Sequence, residues 1–247
     1  MTLLQVEHVM LTTADTEWWI GGGIFGLYGL IVLFLARHWK GQEDKLVRME
    51  RVWGFALLAL LVIKHINLLV IGQWNVYDNL ELHLCGFSRM MSILLLAFGL
   101  RWAFYPLFFW GVVGGIHSLL TPELTSGGSP FMFFEYYVIH GGIIIIPLYF
   151  VFARNYMVGR WTWVKILGVN LAMMPPIYAI NRIIGEGANG LKANYQFLID
   201  PPAVENIFIQ GEWPWYLLGF IVVGALHYIV LTAIFWGRIR RAEKAAA

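Results

Sequence analysis

The chain has 247 residues, of which 59% are hydrophobic and 13% charged, with a mean hydropathy of +0.67 and a formal net charge of +2. An ordinary soluble domain carries about a quarter charged residues, so a water-soluble globule is excluded, and disordered or collagen-like chains with it. The single cysteine, Cys85, excludes an internal disulfide framework and a Cys-rich metal centre and leaves the chemistry of a lone thiol.

Apolar stretches bounded by charged or turn residues predict seven helical crossings, at 18–36, 53–73, 82–100, 102–120, 131–153, 163–181 and 214–236. A helix rises 1.5 Å per residue through a hydrocarbon core of about 30 Å, so each stretch is long enough to cross, while the short alternating strands of a barrel are absent. Helices also satisfy their own backbone, which lipid cannot do. Residues 1–11 show no basic region and no small-residue cleavage site, so the first crossing is expected to be retained. Trp18, Trp19, Trp53, Trp74, Trp102, Trp163, Trp213, Trp215 and Trp236 fall near crossing ends, where interfacial aromatics sit. The absence of a visible internal repeat disfavours the inverted halves of many transporters.

The basic residues sort by loop. Arg37, Lys40, Lys45, Arg48 and Arg51 lie between the first two crossings, Arg101 between the third and fourth, Arg154, Arg160 and Lys165 around the fifth and sixth, and Arg238, Arg240, Arg241 and Lys244 after the last. The alternate segments hold only Arg182 and Lys192. By the positive-inside tendency the first set is cytoplasmic, so the N terminus is outside and the C terminus inside. The expected fold is an all-α integral membrane protein, a seven-helix transmembrane bundle forming a single domain over 1–247.

Polar side chains inside crossings are costly and ask for a partner or a purpose. Here they include Lys64, His65 and Asn67; His83, Cys85, Ser88, Arg89 and Ser92; His117 and Ser118; Glu135 and His140; Asn170 and Asn181; and His227. In the expected orientation Lys64, His83, Cys85, Arg89, His117, Glu135 and His140 fall toward the outer side, where one outward-opening polar cavity would contain them. Cys85, Ser88, Arg89 and Ser92 follow an i, i+3, i+4, i+7 spacing and share one helical stripe. A guanidinium one turn from a thiol favours thiolate or holds a lipid phosphate. The plainer reading is a structural cysteine beside an arginine paired with Glu135.

His83 lies about 200° around the helix from Cys85 by the 3.6-residue period, whereas His117 and His140 reach it by tertiary packing, and His140 shares a face with Tyr136. A thiol with an imidazole is the minimum apparatus for acyl transfer. The competing reading for each histidine is a hydrogen bond between helices. His65, His117, His140 and His227 also allow a bis-histidine haem, though no dedicated spacing marks a pair. The Pro175-Pro176 pair beside Asn170 marks a kinked helix. The outer loop at 182–213 is long enough to read as functional, a lid or equally an interfacial tether, with residues 203–210 as a short amphipathic piece.

HisLeuCys at 83–85, ThrPro at 121–122, IleHisGlyGly at 139–142 leading to ProLeuTyr at 147–149, AsnTyrGlnPheLeu at 194–198 and TrpProTrpTyr at 213–216, in that order, resemble the bacterial YwaF-like integral membrane family. Its animal relative is transmembrane protein 164. The resemblance implies a multi-pass protein of the bacterial plasma membrane and, from the animal member, a cysteine-dependent acyltransferase acting on phospholipid and lysophospholipid. The family's cysteine matches Cys85 and its fifth-crossing histidine matches His140. His117 stands where the family pattern has a small or apolar residue, so the base stays open between His140 and His117. On this reading Arg89, Lys64, Asn67, Glu135, Asn194 and Tyr195 form the substrate-binding set, no cofactor, metal or nucleic acid is needed, and a lid excludes water that would otherwise turn transfer into hydrolysis. The alternative is a small-solute transporter or binding protein with an outward-facing polar cavity.

Overall fold

Every predicted crossing is helical in the computed structural model, which describes residues 9–125, 127–188, 190–202 and 211–246. The helices are α1 (Thr16–His38), α2 (Glu43–Val70), α3 (Leu84–Phe98), α4 (Phe104–Leu120, preceded by a 3-10 turn at Arg101–Ala103), α5 (Pro130–Ala153), α6 (Thr162–Ile184) and α7 (Trp215–Ile234). An eighth, α8 (Trp236–Ala246), follows α7; it lies in the polar tail, where hydrophobic runs give no signal. Among the described residues six helices are long and apolar enough to cross a membrane, and α1, α2 and α7 expose large apolar side chains such as Phe34, Val70 and Ile234 as lipid contact requires. The protein is therefore an all-α, multi-pass membrane protein. The third stretch is shorter than expected: α3 has 15 residues, roughly 22 Å of rise.

The second helix starts ten residues before the predicted crossing, at Glu43 rather than 53. The segment EDKLVRMER is rich in good helix formers, with acidic residues in the first turn that suit the helix dipole. Its buried positions Leu46, Glu50, Gly54, Leu57 and Leu61 carry one continuous stripe from the charged region into the apolar one.

The described chain divides into two compact units, one comprising α1 to α5 and the other α6 to α8 with residues 76–83. In the first, α5 is the central helix, packed against α1, α2, α3 and α4. Ser129 caps it by accepting from the Met132 N–H, with Pro130 at the first helical position. Without a hydrophobic drive between helices in lipid, close backbone approach supplies much of the packing energy, and small residues permit it. A side chain at Gly111 of α4 would overlap the Ile143 carbonyl of α5, and one at Gly115 would press on the His140 carbonyl at 3.0 Å. Gly54 of α2 lies against the backbone of Ala97 in α3.

The two ends of this unit are tied differently. At one end β1 (Val9–Met10) pairs antiparallel with β2 (Glu123–Leu124), and the Leu11 N–H donates to the Pro122 carbonyl at 2.9 Å. At the other, Arg154 after α5 binds Glu43 at 2.5 Å and Glu50 at 2.9 Å, Tyr149 donates to Glu50 at 2.6 Å, and the Arg101 guanidinium lies 4.5 Å from the centre of the Tyr156 ring. Glu50 is buried, and its position in the α2 stripe, i+4 from Leu46, is the signal that would have found it.

In the second unit, Asn170 of α6 donates to the Tyr228 hydroxyl of α7 at 2.8 Å, an interhelical bond of the kind that joins helices in lipid. Asn181 and Tyr195 exchange two backbone-directed bonds of 2.9 Å, and the fully buried Tyr195 hydroxyl donates to the Val76 carbonyl and accepts from the Leu80 N–H. The α8 helix is held to the segment before α6 by Glu243 on the Arg160 backbone and guanidinium.

Gly111→Ala is expected to destabilise the first unit by about 1–3 kcal/mol through overpacking, read as a lower unfolding midpoint in detergent, whereas Gly22→Ala, with nothing within 4 Å, is expected to change it by less than about 0.5 kcal/mol apart from a small helix-propensity gain. The Arg160 backbone N–H and then its guanidinium hold the Glu243 carboxyl below its ordinary value of 4.5. That contact is complete above the ordinary value and is lost as pH falls through the lowered one, so a spin-label distance between α8 and the segment before α6 should lengthen only in acid.

Candidate functional site

The α3 helix opens at Leu84, which puts Cys85 in its first turn, where unpaired backbone N–H groups present the positive potential that best stabilises a thiolate nucleophile. Cys85 is half-buried, while Ser88, Arg89 and Ser92 of the predicted stripe are buried. Ser88 donates to the Leu84 carbonyl and Ser92 to the Ser88 carbonyl, so both hydroxyls are satisfied within their own helix.

The sulfur faces the last turn of α4. Cys85 Sγ is 3.7 Å from Ser118 Oγ, and a side chain on Gly114 would come within 3.8 Å of the sulfur. Ser118 Oγ donates to the Gly114 carbonyl at 2.9 Å, so its proton is committed and its lone pairs face the sulfur. The resting thiol is thus the donor in the pair, and rotation of the hydroxyl would let it donate to a thiolate instead.

Two residues of α5 complete the group. Tyr136 Oη donates to the Ser118 carbonyl at 2.8 Å, and its ring lies over His140 with centroids 4.0 Å apart. His140 Nδ1 is 2.9 Å from the Tyr136 carbonyl. A carbonyl only accepts, so Nδ1 carries a proton; in the neutral ring this leaves the lone pair on Nε2, the tautomer a general base requires. Cys85, Ser118, Tyr136 and His140 therefore form one connected constellation drawn from three helices.

One turn further into α3, Arg89 binds Glu135 of α5 at 2.6 Å, both side chains being 5% exposed. The sequence offers Arg89 either to a phosphate or thiolate or to Glu135, and the structure joins it to Glu135. Its charge is compensated inside the protein, and the pair locks α3 to α5 beside the constellation.

The remaining predicted residues are distributed as follows. His117 neighbours Ser118 but is exposed, about 100° around α4. Lys64 and Asn67 are half-buried on α2, which packs on α3, and His65 accepts from Trp74 Nε1 at 3.0 Å. Asn194 and Tyr195 belong to the other unit. There Asn194 accepts from the Ile199 and Asp200 N–H groups and donates to the Asp200 carbonyl, so its polar atoms shape the loop. His83 packs against Tyr195 and Phe197 and accepts from the Gln196 N–H, and His227 donates to the Val223 carbonyl of its own helix. The amphipathic piece expected at 203–210 lies outside the described residues. Among the described residues no cluster of three or more His, Cys, Asp or Glu side chains is arranged to hold a metal ion.

Sequence reasoning gave no role to Ser118 and saw Tyr136 only as a neighbour of His140. The i, i+4 spacings Gly114–Ser118 and Tyr136–His140 were legible, but the placement of α4 between the cysteine and the aromatic pair was not. Chemically, a thiol beside a hydroxyl, with an imidazole joined to the same group through Tyr136, carries the residue types used for nucleophilic attack on a carbonyl.

Arg89→Met is expected to cost about 3–5 kcal/mol because it strands the buried Glu135 carboxylate, whereas the double variant Arg89→Met with Glu135→Leu is expected to recover most of that loss. Unfolding midpoints of the two variants in detergent check this. Equal losses in both would deny the pair its role.

No curated protein and no solved structure matches the sequence. A family model does match, over residues 10–232, a range that takes in Cys85, Ser118, Tyr136 and His140, the first six apolar stretches and most of the seventh. The chain belongs to the TMEM164 family.

Proposed function

We propose that the protein is a membrane-embedded transacylase that moves acyl chains between phospholipid and lysophospholipid through a thioester on Cys85. The observation that carries this reading is the connected group Cys85, Ser118, Tyr136 and His140 at one end of an apolar bundle. In the first half-reaction Cys85 Sγ attacks the ester carbonyl carbon of a phospholipid while its proton passes to His140 Nε2. The carbon–oxygen bond to the lysolipid breaks, and the departing oxygen takes that proton. In the second, a lysolipid hydroxyl gives its proton to His140 and attacks the thioester, and the carbon–sulfur bond breaks as sulfur regains the proton. The sum exchanges one ester for another and needs no oxidant, metal or nucleotide.

His140 is the better base than His117 because its Nδ1 bond sets the required tautomer and its ring is held against Tyr136, whereas His117 is exposed. Arg89 and Glu135 act as positioning residues that hold α3 against α5, and Lys64 and Asn67 on α2 meet the headgroup. Asn194 and Tyr195 serve by keeping the outer loop in shape, as lid or tether.

We further propose a single seven-crossing domain with α3 as its short member, the N terminus outside and the C terminus inside, in a bacterial plasma membrane. Three contacts within the first unit support the alternation. The N-terminal strand pairs with the α4–α5 connection, the start of α2 pairs with the end of α5, and the α3–α4 turn meets the same end of α5. The cluster of basic residues at that second end supports its assignment to the cytoplasm, and in this orientation Cys85 faces the outer leaflet.

The test is intact-protein mass spectrometry after incubation with a diacyl phospholipid and no acceptor. An acyl-sized mass gain is expected, lost in Cys85→Ala and discharged by added lysolipid. His140→Gln is expected to slow acylation by about 10²–10⁴-fold, with His117→Gln far milder. A protein that gains no mass and releases no lysolipid would overturn the proposal and favour solute transport through the same polar group.

A further inference from the structure

The charge on α8 is not random around the helix. At 100° per residue Arg240, Lys244 and Arg241 fall within an arc of about 100°, and all three are exposed. The opposite side carries Ile239, fully buried, and Glu243, which is spent on Arg160. The single acidic side chain of α8 is thus neutralised by a residue outside the helix, and the outward face is left purely cationic. The flanking aromatic side chains Trp161 and Trp236 are 64% and 42% exposed.

Position supplies the rest. The α7 helix is long and apolar enough to cross a bilayer, and α8 begins two residues after α7 ends, so α8 starts at the level of the headgroups. Exposed tryptophans beside a cationic helix face are what that layer accommodates, the indoles at the polar–apolar boundary and the guanidiniums on phosphate. Lysine and arginine side chains near such a surface attract anionic lipid by about a factor of five each, equivalent to ~1 kcal/mol per charge.

We infer that the face of α8 formed by Arg240, Arg241 and Lys244 is a binding site for anionic phospholipid headgroups. Charge complementarity and the helix's place at the end of a crossing, where indoles meet the polar–apolar boundary, favour this occupant over a soluble polyanion. The site is separate from the Cys85 group, and its occupancy does not depend on the acyl-transfer reading.

The full-length protein in non-ionic detergent is titrated with phosphatidylglycerol or with phosphatidylcholine, and bound lipid is counted by native mass spectrometry. Phosphatidylglycerol is expected to bind with clear preference. The variant Arg240→Gln, Arg241→Gln, Lys244→Gln changes only exposed side chains, and its preference should fall on the order of 100-fold for three cations. The variant Arg37→Gln, Lys40→Gln, Lys45→Gln removes the same charge near the end of another crossing, without the shared helix face, and should lower the preference clearly less. If the first variant retains it, if both lose it equally, or if an RNA oligomer competes the lipid away at equal ionic strength, the inference is overturned.

Discussion

The buried ion pair between Arg89 and Glu135 is the constraint on which the candidate site rests. Both charges are almost entirely withdrawn from solvent, and neither would be tolerated there without the other, since an isolated charge in a medium of low polarity is far more costly than the pair. Such a pair contributes little net stability, yet it permits few alternative alignments. Sliding or rotating α3 against α5 would separate the two charges. Cys85 is one turn from Arg89 and Tyr136 is the next residue after Glu135, so the register that joins the charges also sets the cysteine relative to the aromatic pair.

The fourth helix completes what the ion pair begins. Gly111 and Gly115 let α4 approach the α5 backbone so closely that no side chain fits between them. At that separation Ser118 reaches Cys85 with its hydroxyl and Tyr136 with its carbonyl. The serine is then a bridge between the thiol of Cys85 and the tyrosine beside His140. The small residues supply dispersion contact where lipid offers no hydrophobic drive.

Polarity in the first unit is concentrated at its two ends and serves different purposes there. The end bearing Cys85 is built from mostly uncharged hydrogen-bonding groups with one compensated pair. The other end gathers Glu43, Glu50, Arg154 and Tyr149 into a network with one exposed and one buried carboxylate. The middle of α5 between them is filled by Ile143, Ile144, Ile145 and Ile146. An apolar belt with a reactive group near one rim suits a lipid substrate, whose ester lies close to the boundary of the hydrocarbon.

The sequence by itself determined that the chain lives in a membrane, where its apolar stretches lie, and which side chains are too polar to be there without reason. Those properties are local: hydropathy over about twenty residues and the 3.6-residue period decide them. It also contained Cys85 and His140 as candidates, because a lone thiol and an intramembrane imidazole stand out against leucine and isoleucine. It left open whether Arg89 serves a ligand or Glu135 and what Ser118 contacts, and it put Glu50 in the connection between the first two crossings. Only tertiary packing decided these, since each depends on a partner some 30 to 110 positions away in the chain, and the distance of closest approach between helices is set by glycines whose effect no single segment reveals.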